Sequence, residues 1–313
     1  FFVTGTAGFI GFHLARRLLD EGHEVAGVDG FTTYYDPQLK ERRHVQLEAR
    51  NGYRGHRLML EDMAALARVF AEEKPDIVIH LAGQAGVRYS LENPRAYVDS
   101  NFVGTFNLLD CLREHPVQHF MFASTSSVYG ANDSIPFRET DRADHPLTIY
   151  AASKKAVESL LHSHAHLHGL PTTAFRFFTV YGPWGRPDMA FFKFTKAILQ
   201  GAPIDVYNHG DLARDFTYVD DLVDSIMRLV PCVPRQGAPI GDLDSLSPIA
   251  PFRIVNIGAG QPVQLNDFIA EIERATGSVA KRNNLPMQKG DVPRTFADAS
   301  LLRALTDYVP TTP

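Results

Sequence analysis

The stretch VTGTAGFIG at the start of the chain sets Gly5, Gly8 and Gly11 three residues apart. It follows an apolar run, FFVTG, which already reads as strand at its first residue, and opens an amphipathic helical pattern, FIGFHLARRLLDEG. Glycines at a strand-to-helix turn allow a tight bend, let the backbone approach a pyrophosphate, and pack the helix closely on the strand. The first helical turn, Phe9, Ile10 and Gly11, then presents its free N–H ends to the phosphates. The spacing is not the G-x-G-x-x-G form, so its weight comes from position between strand and helix.

Strand and helix patterns continue to alternate along the chain. Apolar runs recur at HEVAGVD, DIVIHLAG, VQHFMFAS and LPTTAFRFFTV. Helical patterns lie between them at MAALARVFAEEK and RAYVDSNFVGTFNLLDCLREH, with a further helix starting near Tyr150. Strands alternating with helices predict an α/β fold, a Rossmann-type doubly wound parallel sheet. After about residue 179 Pro and Gly punctuate shorter elements. Residues 1–178 are therefore expected to form the dinucleotide-binding domain. Residues 179–313 are expected to form mainly a smaller substrate domain over the carboxyl ends of the strands, with segments interleaved into the first. VPRQGAPIGDLDSLSPIAP reads as a mobile surface loop.

Asp29 ends the second strand, 18 residues after Gly11. A carboxylate there binds an adenosine ribose diol and repels a 2′-phosphate, and no Arg immediately follows, so NAD is favoured over NADP.

Two further motifs carry chemistry. In FASTSSVYG, Ser124, Thr125, Ser126 and Ser127 place four hydroxyls and no acid at the end of a buried strand. In YAASK, Tyr150 and Lys154 lie one helical turn apart on one face. Tyrosine at its ordinary pKa of about 10 is a poor base. A nearby ammonium and an oxidised nicotinamide both favour the phenolate. Such a phenolate takes a proton from an alcohol as hydride leaves the same carbon. The Y-x-x-x-K spacing is common on helices and gains its meaning from the glycine turn and the hydroxyl strand.

TGTAGFIG, SVYG and YAASK together resemble the extended short-chain dehydrogenase/reductase family, whose members handle nucleotide sugars, and the likeness covers nearly the whole chain. The resemblance implies Thr125 assisting Tyr150, and Lys154 also holding the nicotinamide ribose. YYDPQLKERR, AGVRYSLENPRAYVDSN, RFFTVYGPWGRPDMAFFKFTKAI and RDFTYVDDLV are similar to the UDP-glucuronate 4-epimerases. That likeness implies a UDP-sugar as substrate and C4 epimerisation through a 4-keto sugar. The uronate carboxylate would lie on Thr125, Ser126, Ser127 and Thr179; Arg214 on the diphosphate; Asp291 near the uridine ribose; Tyr207 against the uracil. Arg186 falls to either the carboxylate or a phosphate. Related dehydratases and decarboxylases carry acids where Ser126 and Ser127 stand. Against a substrate carboxylate at about 4 Å an acid would cost about 4 kcal/mol at an effective dielectric near 20, whereas hydroxyls donate to it.

Two departures accompany the likeness. Relatives usually place an Asp on the adenine amino group about where Met59 or Leu60 falls, so either Asp62 takes that place or the contact is missing. Relatives also usually continue through another helix beyond DYVPTTP. Two other functions stay open: epimerisation of a neutral hexose such as UDP-glucose, and a redox-inactive NAD-binding regulator. A homodimer through a helix pair is a family expectation.

Composition narrows the classes. A formal charge of −5 argues against a nucleic-acid or anionic-membrane surface, and no apolar run is long enough to cross a bilayer. Cys111 and Cys232, the only cysteines, give no disulfide framework, which suits a reducing cytoplasm. His162, His164, His166 and His168 include two pairs at chelating spacing, but the pairs lie on different faces with no third ligand nearby, so no metal is expected. Trp184 is expected to pack the substrate loop.

Overall fold

The computed structural model describes residues 1–288 and 290–312. Strands β1 (Phe2–Thr4), β2 (Val25–Asp29) and β3 (Tyr53–Arg57) are joined by helices α1 (Phe9–Asp20) and α2 (Pro37–Glu48). Helix α3 (Met63–Glu73) leads to β4 (Ile77–His80). Then α4 (Tyr89–Glu92), α5 (Pro94–Tyr97) and α6 (Gly104–Glu114) lead to β5 (His119–Thr125), and α7 (Ile149–His168) to β6 (Thr172–Phe177). The remainder runs through β7 (Thr179–Tyr181), α8 (Ala190–Leu199), β8 (Pro203–Tyr207), β9 (Ala213–Tyr218) and α9 (Val219–Leu229). It ends with β10 (Phe252–Ile257), β11 (Pro262–Gln264), α10 (Leu265–Thr276), β12 (Lys281–Leu285), β13 (Arg294–Thr295) and α11 (Ser300–Thr306).

The central sheet has seven strands in the order β10-β6-β5-β4-β1-β2-β3, and every pairing in it is parallel. The chain winds from β1 towards β3, then crosses back to β4 and winds the other way. The order reverses between β1 and β4, and a crevice opens there at the carboxyl ends of the strands. Alternate residues of each strand enter opposite cores. Val3, Ile79, Met121 and Phe175 pack beneath α1, α9 and α11, with Phe12, Leu18, Leu222 and Leu301. Phe2, Val78, Phe120 and Ala174 pack beneath α3, α6 and α7, with Phe70, Leu108 and Leu161. Each large side chain so buried contributes about 1.5–3 kcal/mol. A third, smaller core joins α8, β8 and α10 through Ile198, Ile204, Val206 and Ile269.

Several features add to the sequence reading or differ from it. β3 (YRGHR) is mostly polar and half-exposed, so it shows no apolar run, yet it completes the sheet edge beside β2. β10 lies well past residue 179 but pairs with β6 along its whole length. The pattern read as one helix over 95–115 is broken by a π-helical turn, Val98–Val103, which turns buried Asn101 inward. Further along, the segment expected to be a mobile loop is anchored. Asp244 accepts a two-pronged bond from Arg253 at 2.8 and 2.9 Å, both side chains being nearly inaccessible. His162 Nε2 lies 2.8 Å from Ser247 Oγ, and His166 Nδ1 2.8 Å from the Ile249 carbonyl. Two of the four clustered histidines therefore fasten this segment, while His164 and His168 lie ring against ring, 4.5 Å between centroids.

One polar knot ties the sheet to α7. Arg176 of β6 donates to both carboxylate oxygens of Glu158 at 3.0 and 2.8 Å, and Ser124 Oγ donates to the same carboxylate at 2.6 Å. The Arg176 guanidinium also lies 4.6 Å from the centre of the Tyr129 ring, whose hydroxyl donates to Asn256 of β10. Glu158 and Arg176 are almost completely buried. Glu158→Ala would strand the guanidinium, so a loss of about 3–5 kcal/mol is expected in urea unfolding. Ser124→Ala, which removes one hydrogen bond to the charged carboxylate, should cost less, about 1.5–3 kcal/mol.

Candidate active site

A cavity of about 900 Å³ fills the crevice and runs on beneath β8, β9 and the 290–295 segment. Gly5, Gly8, Phe9, Ile10, Gly11 and Asp29 line one end of it. Gly5 has φ +80°, and a Cβ there would meet the Ala82 backbone nitrogen at 2.8 Å. A Cβ on Gly11 would lie 2.1 Å from the Gly5 carbonyl oxygen, so α1 can reach β1 this closely only without one. The cradle is thus narrow, its walls are backbone, and the start of α1 opens into it. Asp29 is held at its rim: Oδ2 accepts from the Ala7 N–H at 3.1 Å and Oδ1 from the Phe31 N–H at 2.8 Å. These residues fit a dinucleotide whose pyrophosphate meets helix N–H groups and whose ribose diol meets a carboxylate.

Asp62 does not join them. Its carboxylate accepts from the Ala65 N–H at 3.0 Å and caps α3, pointing to solvent. Met59, Leu60 and Glu61 line the cavity at that level instead. Asp62, offered from the sequence for the adenine, thus lies outside the lining, with one carboxylate oxygen satisfying a helix end. Lys40, unforeseen from the sequence, lines the same end. It is buried with Nζ donating to Thr32 Oγ1 at 2.9 Å, and burial lowers its pKa while the Asp29 charge opposes the shift.

The middle of the cavity holds Thr125, Tyr150 and Lys154. Thr125 ends β5, and Tyr150 and Lys154 sit on the first turns of α7, whose start Thr148 caps by accepting from the Ala151 N–H. Tyr150 is therefore near the positive end of a long helix, which favours a phenolate. Burial pushes its pKa up; a hydrogen bond with Thr125 and the charge of Arg186 both pull it back. Arg186, across the cavity, adds a second cation to the one the sequence places one turn along the helix at Lys154. Lys154 is buried, with Nζ donating to the Ala123 carbonyl at 2.8 Å and lying 4.6 Å from the centre of the Phe122 ring. Burial brings its pKa down to about 7, against the pull of the Glu158 charge.

Asn101, delivered by the π-helical turn, bonds the Gln84 backbone in both directions at 2.7 and 3.0 Å and donates to Ser153. It walls in the lysine, since a Cβ on Gly83 would meet both Asn101 Oδ1 and Lys154 Nζ. Tyr97 backs Tyr150 edge-on, 5.9 Å between centroids.

Ser126, Ser127, Thr179, Arg186 and Asp188 surround this centre. Thr125 Oγ1 donates to Ser127 Oγ at 3.2 Å and accepts from the Ser127 N–H. Of the four successive hydroxyls, that of Ser124 is taken up by the buried Glu158 knot. Arg186 grips Asp188 with two bonds at 3.0 and 2.6 Å, and Tyr34 donates to Asp188 at 3.0 Å. Tyr34 and Asp188 were missed because each sits in a Pro- or Gly-rich loop with no periodic signal.

At the far end Tyr207 closes β8 with the Arg88 guanidinium 4.7 Å from its ring centre, and Arg214 donates to Asp291 Oδ1 at 2.6 Å. Every site residue proposed from the sequence except Asp62 lines this cavity. Trp184 lies edge-on to Phe12 at 5.7 Å, behind the loop that carries Arg186.

The sequence profile of the NAD dependent epimerase/dehydratase family matches residues 1–237, and the chain belongs to this family. It is 59% identical to a probable UDP-glucuronate 4-epimerase of Rhizobium meliloti (strain 1021), over 99% of this chain and 92% of that one. It is 45% identical to UDP-glucuronate 4-epimerase 1 of Arabidopsis thaliana, over 99% of this chain and 72% of that one. Among solved structures it superposes with TM-score 0.87 on the UDP-glucuronic acid 4-epimerase of Bacillus cereus in complex with UDP-glucuronic acid and NAD. Identity there is 31%, over 100% of this chain and 94% of that one. A UDP-glucose 4-epimerase of Thermotoga maritima with UDP-glucose gives TM-score 0.84 at 28% identity, over 100% of this chain and 94% of that one.

Gly11→Ala tests the cradle. The added methyl has no space beside the Gly5 carbonyl, so NAD affinity should fall by about 100-fold or more, a loss of about 3 kcal/mol on the usual scale. Titration of NAD into the purified variant and wild type measures it.

Proposed function

We propose that this chain is an NAD-dependent UDP-glucuronate 4-epimerase. The observation that carries the reading is the surround of Tyr150: the hydroxyls of Thr125, Ser126, Ser127 and Thr179 and the cation of Arg186 line one part of the cavity, and the one acid among them, Asp188, is already gripped by Arg186. Such a set receives a sugar that brings its own carboxylate. Hydroxyl donors gain from a charged acceptor, while a free acid there would repel it.

In this mechanism Tyr150, as phenolate, takes the proton from the sugar O4, with Thr125 hydrogen-bonded to the phenol and helping to align it. The bound nicotinamide supplies reversible two-electron oxidation at C4. Gly5, Gly8 and Gly11 hold the pyrophosphate of that cofactor, Asp29 its adenosine ribose and Lys154 its nicotinamide ribose. The 4-keto sugar turns about its diphosphate linkage and is reduced on the other face, and Tyr150 returns the proton. Arg214 holds the diphosphate, Tyr207 lies against the base and Asp291 near its ribose. The keto sugar is a β-keto acid and prone to lose CO₂. Thr179, Ser126 and Ser127 hold the carboxylate near the plane of the ketone, where its breaking C–C bond overlaps poorly with the carbonyl.

The working unit is a homodimer in this proposal. Val98, Phe102, Val103 and Phe106 leave exposed apolar surface along 98–106 that a helix of a second copy would cover. A reducing, cytoplasmic setting suits the two free thiols, and burial pushes the Cys111 thiol up to about 11.

Proton NMR of purified protein with UDP-glucuronate or UDP-glucose tests the function. Conversion of the uronate to a gluco/galacto mixture without added NAD is expected. Turnover of UDP-glucose alone would move the enzyme to the neutral epimerases, and no turnover of either would favour a binding-only role. Tyr150→Phe should lose at least about 100-fold in kcat, the scale of a lost general base. Thr179→Ala should increase the pentose released by CO₂ loss relative to epimer; unchanged leakage with normal affinity would remove that role from Thr179.

A further inference from the structure

Arg43 stands on α2, outside the cavity, fully buried and with no salt-bridge partner among the described residues. One terminal nitrogen, Nη1, donates to the Ala7 carbonyl in the glycine turn and to the Tyr35 hydroxyl, both at 2.9 Å. The other, Nη2, donates to the Trp184 carbonyl at 2.5 Å and reaches the Gly185 carbonyl at 3.5 Å. A buried guanidinium facing only carbonyls and a hydroxyl is an expensive strut, and what it joins is specific. Ala7 belongs to the cofactor cradle; Trp184 and Gly185 lead directly into Arg186.

That loop carries one residue in an uncommon backbone conformation. Trp184 has φ +59°, in the left-handed region that non-glycine residues seldom adopt. Its outer end is tied to α1, with His13 Nε2 2.9 Å from the Pro183 carbonyl. A second link runs from the segment after Asp29: Tyr34 donates to Asp188 Oδ2 at 3.0 Å, and Asp188 fixes both prongs of Arg186. The Tyr34 ring also lies under the Arg186 guanidinium, 5.9 Å to its centre. Both ties originate between residues 34 and 43, on the cofactor side of the crevice, and both end on the loop that brings Arg186 into the cavity lined by Tyr150.

We propose that Tyr34 and Arg43 are positioning residues, a role that rests on the epimerase reading of this site: they lock loop 183–188 to the dinucleotide turn and so aim Arg186 at Tyr150. The charged and titratable groups around Tyr150 are Arg186 across the cavity, Tyr97 behind it and Lys154 one turn along its own helix. Releasing Arg186 withdraws one of the two cations around the phenol. The phenolate then forms at higher pH, and the acid limb of the pH–rate profile moves up.

The test compares wild type with Tyr34→Phe and Arg43→Lys, the first removing one hydroxyl and the second keeping the charge. With UDP-glucuronate, Tyr34→Phe is expected to lose about tenfold in kcat with KM within about threefold, as for a misaimed group, and its acid limb should move to higher pH. Trp184, the only tryptophan, reports the loop independently of activity. In both variants its emission should become more open to acrylamide quenching with far-UV circular dichroism unchanged. Wild-type quenching together with an unmoved acid limb in Tyr34→Phe would overturn the proposal. A fall in kcat that follows a lower melting temperature, with the limb unmoved, would also overturn it, since that is the mark of a merely structural strut. Wild type that leaves UDP-glucuronate unchanged would refute the epimerase reading and the positioning role with it, and the quenching result would then describe the loop alone.

Discussion

The approach of α1 to β1 across the glycine turn is the contact on which the site is built. A methyl on Gly11 would lie 2.1 Å from the Gly5 carbonyl oxygen, so the helix seats only because the position is bare. This closeness brings the N-terminal end of α1 against the crevice where the sheet order reverses. It also places the Ala7 carbonyl where Arg43 meets it and the Ala7 N–H where Asp29 accepts it. The cofactor cradle, its carboxylate and the strut to the substrate loop share one turn of backbone.

At the catalytic end charge is arranged by burial. Lys154 sits in a dry setting that brings its pKa down to about 7, with a carbonyl and an aromatic face as its neighbours. His80, bonded on both nitrogens to Thr4 and Thr105, is held at about 3 chiefly by burial, and so carries no charge beside that lysine. Glu158 stays ionised because Arg176 meets it squarely inside the core. The result is a centre rich in hydroxyls and cations, with its acids already engaged.

Much of this was legible along the chain because it depends on local order. The glycine spacing, the alternation of apolar runs and the one-turn interval between Tyr150 and Lys154 are readable in short windows, and they carried the parallel sheet and the catalytic pair. Strand β3 escaped because an edge strand with polar residues lacks an apolar signal. β10 escaped because nothing local says that residues 252–257 pair with residues 172–177. Asp62 stands outside the lining because a carboxylate just before a helix satisfies the helix end first.

Short-range pattern fixes the kind of sheet, the cofactor turn and the identity of the reacting side chains, since each depends on spacing along one strand or one helix. Long-range packing fixes which charge faces which group. Arg186 joins Lys154 around Tyr150, Ser124 bonds the buried Glu158, and Tyr34 meets Asp188 across 154 residues of chain. Electrostatic influence depends on distance and burial in space, and neither is written in the interval between two letters of a sequence.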